Sequence, residues 1–214
     1  MSRDDEALIA SLAQDAAPVR RAAPPSRRAA VWLAAVAAAA AVVLTRLYAP
    51  GTMALRMTSG WTYVELGATL ATGVAAILAA FNLGVPGDNH RWRWAPLPPL
   101  LLWIVATLAG LAASHSGWGV AGGSRACFNF VVIAGTPMAV AVILALRRTL
   151  SLEPWRMSFL AGLGVASLAT FLLAFCHPFA LDPADLAAHI AAILVVTGLV
   201  TLLGGPLLKI RPRK

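Results

Sequence analysis

Charge is what this sequence has least of. Only 12% of its 214 residues are Asp, Glu, Lys or Arg, where a soluble domain carries about 25%. Too little polar surface follows for the chain to face water all round. Ionisable groups deep inside its apolar stretches, which would mark a transport path, are nearly missing. No catalytic carboxylate pair, nucleophile–base arrangement, phosphate loop or HExxH pattern is present. These absences argue against an enzyme and against a proton-coupled pump. Cysteine is scarce too: there are two, they form no CxxC and their spacing matches no tight zinc motif, which disfavours a thiol relay. A net charge of +8 could point to nucleic acid, but no basic stripe with interleaved aromatics accompanies it, so no direct nucleic-acid contact is expected.

Apolar residues make up what is present: 59% of the chain, with a mean hydropathy of +0.77. They fall into six runs, each near the ~20 residues that cross ~30 Å of hydrocarbon at ~1.5 Å per residue. The runs extend from about Ala29 to Tyr48, Trp61 to Leu83, Pro96 to Ser114, Cys127 to Leu146, Met157 to Phe175 and Leu186 to Leu208. Turn-forming residues separate them, such as Pro50-Gly51, Gly122-Gly123 and Asp182-Pro183. The reading is an all-α membrane protein, a six-transmembrane-helix bundle. Residues 1–28 precede the bundle, 29–208 form it, and 209–214 make a basic tail.

Basic residues orient the bundle. If the N-terminus, the second and fourth connections and the C-terminus share one side, that side holds 14 of the 17 Lys and Arg residues; the other holds Arg46, Arg56 and Arg125. The basic side is then cytoplasmic, and an even number of spans puts both termini there. Trp32, Trp61, Trp92, Trp94, Trp118 and Trp155 fall near span ends, where an amphipathic ring is favoured. Small residues, including Gly162, Gly164, Gly204 and Gly205, suit close helix approach in lipid. Glu65, near the outer end of its span, is expected to reach the interface or to pair with Arg46 or Arg56, and Asn129 and Thr136 to hydrogen-bond between helices.

Cys127 opens the fourth span and Cys176 closes the fifth, equidistant from the connection between them. In an antiparallel hairpin both thiols then lie level, at the periplasmic end, within reach of an oxidising compartment. Three readings stay open: a disulfide that pins the hairpin, two thiols packed as small hydrophobes, and a redox or soft-metal sensor. His177 adjoins Cys176, His189 lies about a turn into the sixth span, and His115 and Asp182 share that side. Thiolate and imidazole suit soft or borderline metals, so Cys127, Cys176, His177 and His189 are the set expected for transient metal binding. No resident cofactor is expected.

At the N-terminus, Asp4, Asp5 and Glu6 favour the first turn of a short helix through its macrodipole. Leu8, Ile9 and Leu12 share one face of it, and Pro18, Pro24 and Pro25 keep the following linker extended. A helix of about ten residues is marginal alone in water and gains stability by laying an apolar face into a partner.

In these residues the chain resembles the NrsF-type membrane anti-sigma factors, negative regulators of an extracytoplasmic-function sigma factor. Three features carry the resemblance: the string from Leu8 to Val19, similar to the family's LI..LA.D..PV; the six-span layout behind a short cytoplasmic segment; and Cys127 paired with Cys176-His177-Pro178. The resemblance implies that Leu8, Ile9, Leu12, Asp15, Pro18 and Val19 bind the sigma factor and keep it from RNA polymerase at the bacterial inner membrane. It also implies that Cys127, Cys176 and His177 sense a metal or oxidative envelope signal. The HxxxCxxC pattern of the zinc-containing soluble anti-sigma domain is missing, so partner binding does not use that fold. A small transporter and a structural membrane subunit are the alternatives.

Overall fold

The computed structural model describes residues 3–14, 23–47, 60–85, 90–113, 124–149, 153–176 and 183–209. These residues form seven α-helices and a short 3-10 turn: α1 (Arg3–Gln14), α2 (Pro25–Leu47), α3 (Gly60–Asn82), the turn (His90–Trp94), α4 (Leu97–Ala113), α5 (Ser124–Leu146), α6 (Pro154–Leu173) and α7 (Pro183–Leu208). No strand occurs among the described residues. Six stretches are long and apolar enough to cross a membrane, namely α2, α3, α5, α6, α7 and α4 taken with the turn before it (Arg91–Ala113), with mean hydropathies from 1.6 to 2.4. Proline opens α2, α6 and α7, where its missing N–H leaves no helical bond unmade and its fixed φ favours the first turn.

Packing puts one helix at the centre of the bundle. α6, rich in Gly, Ala and Ser, is the central one: 78% of its apolar span is buried, against 11% for α2. It packs most extensively on α7 and α3; α5 closes against both α6 and α7, α4 lies on α3, and α2 covers α3 and touches α5. Close approach requires glycine at two places on the α6–α7 seam. A Cβ on Gly162 would stand 2.9 Å from Cα of Thr197, and one on Gly205 would meet the Trp155 ring. Along the outside, Val31, Val105, Ile133, Leu194 and Leu203 are exposed, an apolar belt of the kind lipid accepts.

Several hydroxyls inside the bundle are satisfied within their own helices. Thr69 donates to the Glu65 carbonyl (2.7 Å), Thr72 to Ala68 (2.8 Å) and Thr170 to Ala166 (2.9 Å). This bond to the preceding turn settles a polar side chain without a second helix. Thr136 does the same with Val132 at 2.7 Å, and both it and Asn129 are exposed. The interhelical role expected of these two is therefore replaced by a local bond for Thr136 and an outward position for Asn129.

Where the first span begins, Arg28 binds the bundle. Its guanidinium donates to the Ala145 carbonyl (2.6 Å) and to Thr149 Oγ1 (2.9 Å), and stands 5.3 Å from the Phe81 ring centroid. A planar fork can satisfy a carbonyl at a helix C-terminus and a hydroxyl beyond it while stacking on an aromatic face. The root of the N-terminal segment is thereby held against the end of α5.

Candidate functional site

The last helix brings the site together through its first two turns. Asp185 lies in the first turn of α7, where the macrodipole favours a carboxylate. His189 follows four residues later, so both side chains share one face. The imidazole Nδ1 lies 2.9 Å from the Asp185 main-chain carbonyl and 3.4 Å from its Oδ2. Both neighbours are acceptors, so Nδ1 carries the proton.

Facing this pair is the first turn of α5. Cys127 is fully buried, and its Sγ donates to Asp185 Oδ1 at 3.1 Å. The carboxylate is itself only 6% exposed, and burying a charge at that depth demands polar partners. A thiol and an imidazole supply two of them. One potential ligand atom from each of Cys127, Asp185 and His189 lies within 4.8 Å of the other two.

Beside the cluster is a cavity of about 30 Å³, lined by Glu65, Thr69, Trp103, Asp185 and His189 among others. That is room for about two waters. Glu65 Oε1 accepts a hydrogen bond from Thr107 at 3.4 Å. A second carboxylate, reached from α3, thus faces the cavity that Asp185 and His189 line. Acid, base and soft donors stand together here with space for a small ligand.

Cys176 belongs to the same hairpin but not to the cluster. It lies in the turn after α6, where its N–H donates to the Leu173 carbonyl at 2.9 Å. The two cysteines are not joined in a disulfide, and burial pushes the Cys176 thiol above the usual cysteine range. The metal set read from the sequence is therefore brought together only in part: Cys127 and His189 meet, and Cys176 stands outside the group. His177, His115 and Asp182 lie outside the described residues. Asp185 is the residue that sequence reasoning missed. Its signal was the D-x-x-x-H spacing to His189 at the start of a span, which puts both side chains on one helical face.

On the N-terminal segment, Leu8, Ile9 and Leu12 are 60%, 56% and 62% exposed, so α1 keeps its apolar face uncovered. Asp15, Pro18 and Val19 lie outside the described residues.

A family model described as the negative regulator of sigma F, NrsF, matches residues 12–209. The chain belongs to the NrsF family. Its function is accordingly that of a negative regulator of a sigma factor, and a sigma factor is its partner. The NrsF match begins at Leu12, so Leu8 and Ile9 precede it. Searches of the curated proteins and of the solved structures find no match.

Proposed function

We propose that this NrsF-family chain is a membrane-bound anti-sigma factor of the bacterial inner membrane, with both termini in the cytoplasm. Its N-terminal segment, through Leu8, Ile9, Leu12, Asp15, Pro18 and Val19, sequesters an extracytoplasmic-function sigma factor away from RNA polymerase. A metal or oxidative signal in the envelope, sensed at the periplasmic end by Cys127 and Cys176, releases it. The capture half rests on one observation: a helix of 12 residues with all three of its large apolar side chains on an exposed face. Water gives such a helix little reason to persist; a groove on a partner does. Topology draws on the 14-to-3 sorting of basic residues.

Release requires that the two ends of the bundle be coupled. α5 offers a physical route, since Cys127 is in its first turn and Arg28 grips its last turn and the residues just beyond.

Deletion of residues 2–20 tests capture. The shortened chain should still enter the membrane, should lose the sigma factor in a pull-down from solubilised membranes, and should raise sigma-dependent transcription to the level of a strain lacking the chain. Full retention of the sigma factor by the deletion variant would overturn the reading and favour a transporter or a structural subunit, for which the segment is dispensable. In the same reporter strain, Cys127→Ser with Cys176→Ser should abolish induction by metal stress; undiminished induction would remove the sensing half.

A further inference from the structure

We propose that Cys127, Asp185 and His189 form a binding site for a single divalent cation of the soft-to-borderline class, such as Zn²⁺ or Cd²⁺. The biological consequence rests on the sensing reading above; the site itself rests on the donors and their geometry.

Donor chemistry comes first. Thiolate, imidazole and carboxylate are the side chains that bind zinc-like ions, with bonds of about 2.0–2.3 Å. In a tetrahedral site such bonds set ligand atoms roughly 3.3–3.8 Å apart. The Sγ–Oδ1 separation of 3.1 Å is already at about that scale, and the imidazole Nδ1 lies 3.4 Å from the other oxygen of the same carboxylate, Oδ2. All three residues offer atoms within 4.8 Å of one another, so drawing one atom of each to tetrahedral spacing takes side-chain shifts of about 1 Å.

Charge agrees with geometry. A deprotonated Cys127 and an ionised Asp185 carry two negative charges, His189 binds as the neutral ring with its proton moved from Nδ1 to Nε2, and one M²⁺ cancels both. Binding is then balanced by release of one proton, from the Cys127 thiol to solvent. Neutral sites of this kind suit a buried position, because an uncancelled charge there is costly.

Three protein ligands leave a fourth position open. The adjacent cavity of about 30 Å³ is lined by Asp185 and His189, with Glu65 also on its wall. A water completes the shell and keeps the site neutral, which is the arrangement of an exchangeable rather than a sealed structural site. The two contributing helices differ in their role: α7 supplies Asp185 and His189 from a single face, and α5 supplies Cys127. Metal binding would fasten the first turn of α5 to α7.

This assignment retains Cys127 and His189 from the set expected from the sequence and puts Asp185 in place of Cys176. That difference decides the experiment. The full chain, purified in mild detergent, is titrated with Cd²⁺ alone, following the ultraviolet thiolate-to-cadmium absorption and the cadmium retained per chain. One ion per chain, with the absorption of a single thiolate, is expected. Cys176→Ser should bind as the parent does. Cys127→Ser should lose the absorption, and Asp185→Asn and His189→Ala should each weaken binding at least tenfold. Circular dichroism melts on the same samples show whether each variant folds; Asp185→Asn keeps the side-chain shape and is the variant least exposed to that objection. Failure to retain cadmium, dependence on Cys176, or full affinity in Asp185→Asn would overturn the site. Sigma-factor capture measured on the same preparations separates the two claims: lost capture with normal cadmium binding sinks the anti-sigma reading and leaves the site standing.

Discussion

Cys176 and Cys127 present the same functional group in two different settings. Cys127 is fully buried and donates to a carboxylate. Cys176 is partly exposed, on a turn, with its thiol raised above the ordinary range by burial. Only the thiolate attacks an alkylating agent. A raised value means that the protonated form persists to higher pH, and that the thiolate appears only as pH climbs through that value. Iodoacetamide should therefore label Cys176 before Cys127 at neutral pH, because access separates them. In Cys127→Ser, the labelling rate of Cys176 should rise with pH through a midpoint above that of a cysteine peptide; a midpoint at or below the peptide's contradicts the environment described here. At this scale the sequence was only partly legible. Position in a span was readable for Cys127, but its bond to Asp185 joins residues 58 apart in the chain, and no local pattern announces such a pair. Trp32 was placed by its type at the lipid boundary, yet it is buried in the core at 6% exposure. An indole near a span end faces lipid or protein according to which helix covers it, and that is decided by packing.

Helices were more legible than their contacts. All six apolar runs correspond to helices, but α2, α5, α6 and α7 each begin about a turn earlier than the apolar run does: Pro25 against Ala29, Ser124 against Cys127, Pro154 against Met157, Pro183 against Leu186. Hydropathy marks the apolar stretch, whereas a helix continues through the polar residues beside it until backbone geometry stops it. Which face of each helix turns inward was less readable, because α6 is apolar or small on every side and buried on most of them. Two glycines on neighbouring helices separate packing from mere composition. Gly162 of α6 has no room for a Cβ, which would lie 2.9 Å from Cα and 3.0 Å from the carbonyl oxygen of Thr197, backbone atoms that cannot swing away. Gly198 of α7 has nothing within 4 Å. Gly162→Ala should therefore push α6 and α7 apart and destabilise by about 1–3 kcal/mol. Gly198→Ala should be neutral or stabilise by up to about 1 kcal/mol, through the lower conformational freedom of the unfolded chain. Thermal unfolding in detergent should place the two midpoints on opposite sides of, or unequally below, the parent; equal midpoints would mean that the α6–α7 seam is looser than the structure indicates.

Across the whole molecule, one helix joins the features that matter. α5 has 23 residues, about 34 Å at 1.5 Å per residue. Its first turn carries Cys127, and its far end is held by Arg28, the residue through which the N-terminal segment enters the bundle. A packed helix is stiff, so fastening its first turn to α7 biases the position of its far end by way of existing contacts. The Arg28 guanidinium is where that bias meets the segment proposed to hold the sigma factor. Arg28→Ala removes two hydrogen bonds and the stacking on Phe81 while leaving both α1 and the Cys127–Asp185–His189 cluster intact. The variant should bind cadmium and capture the sigma factor as the parent does, yet lose most of the cadmium-induced rise in sigma-dependent transcription. Arg28→Lys keeps the charge without the planar fork and should show an intermediate response. Measuring binding, capture and induction in one strain set makes the result decisive. A full response from Arg28→Ala would show that the signal reaches the segment by a route that does not pass through the end of α5. Lost capture without any cadmium would instead assign Arg28 to the grip on the sigma factor itself.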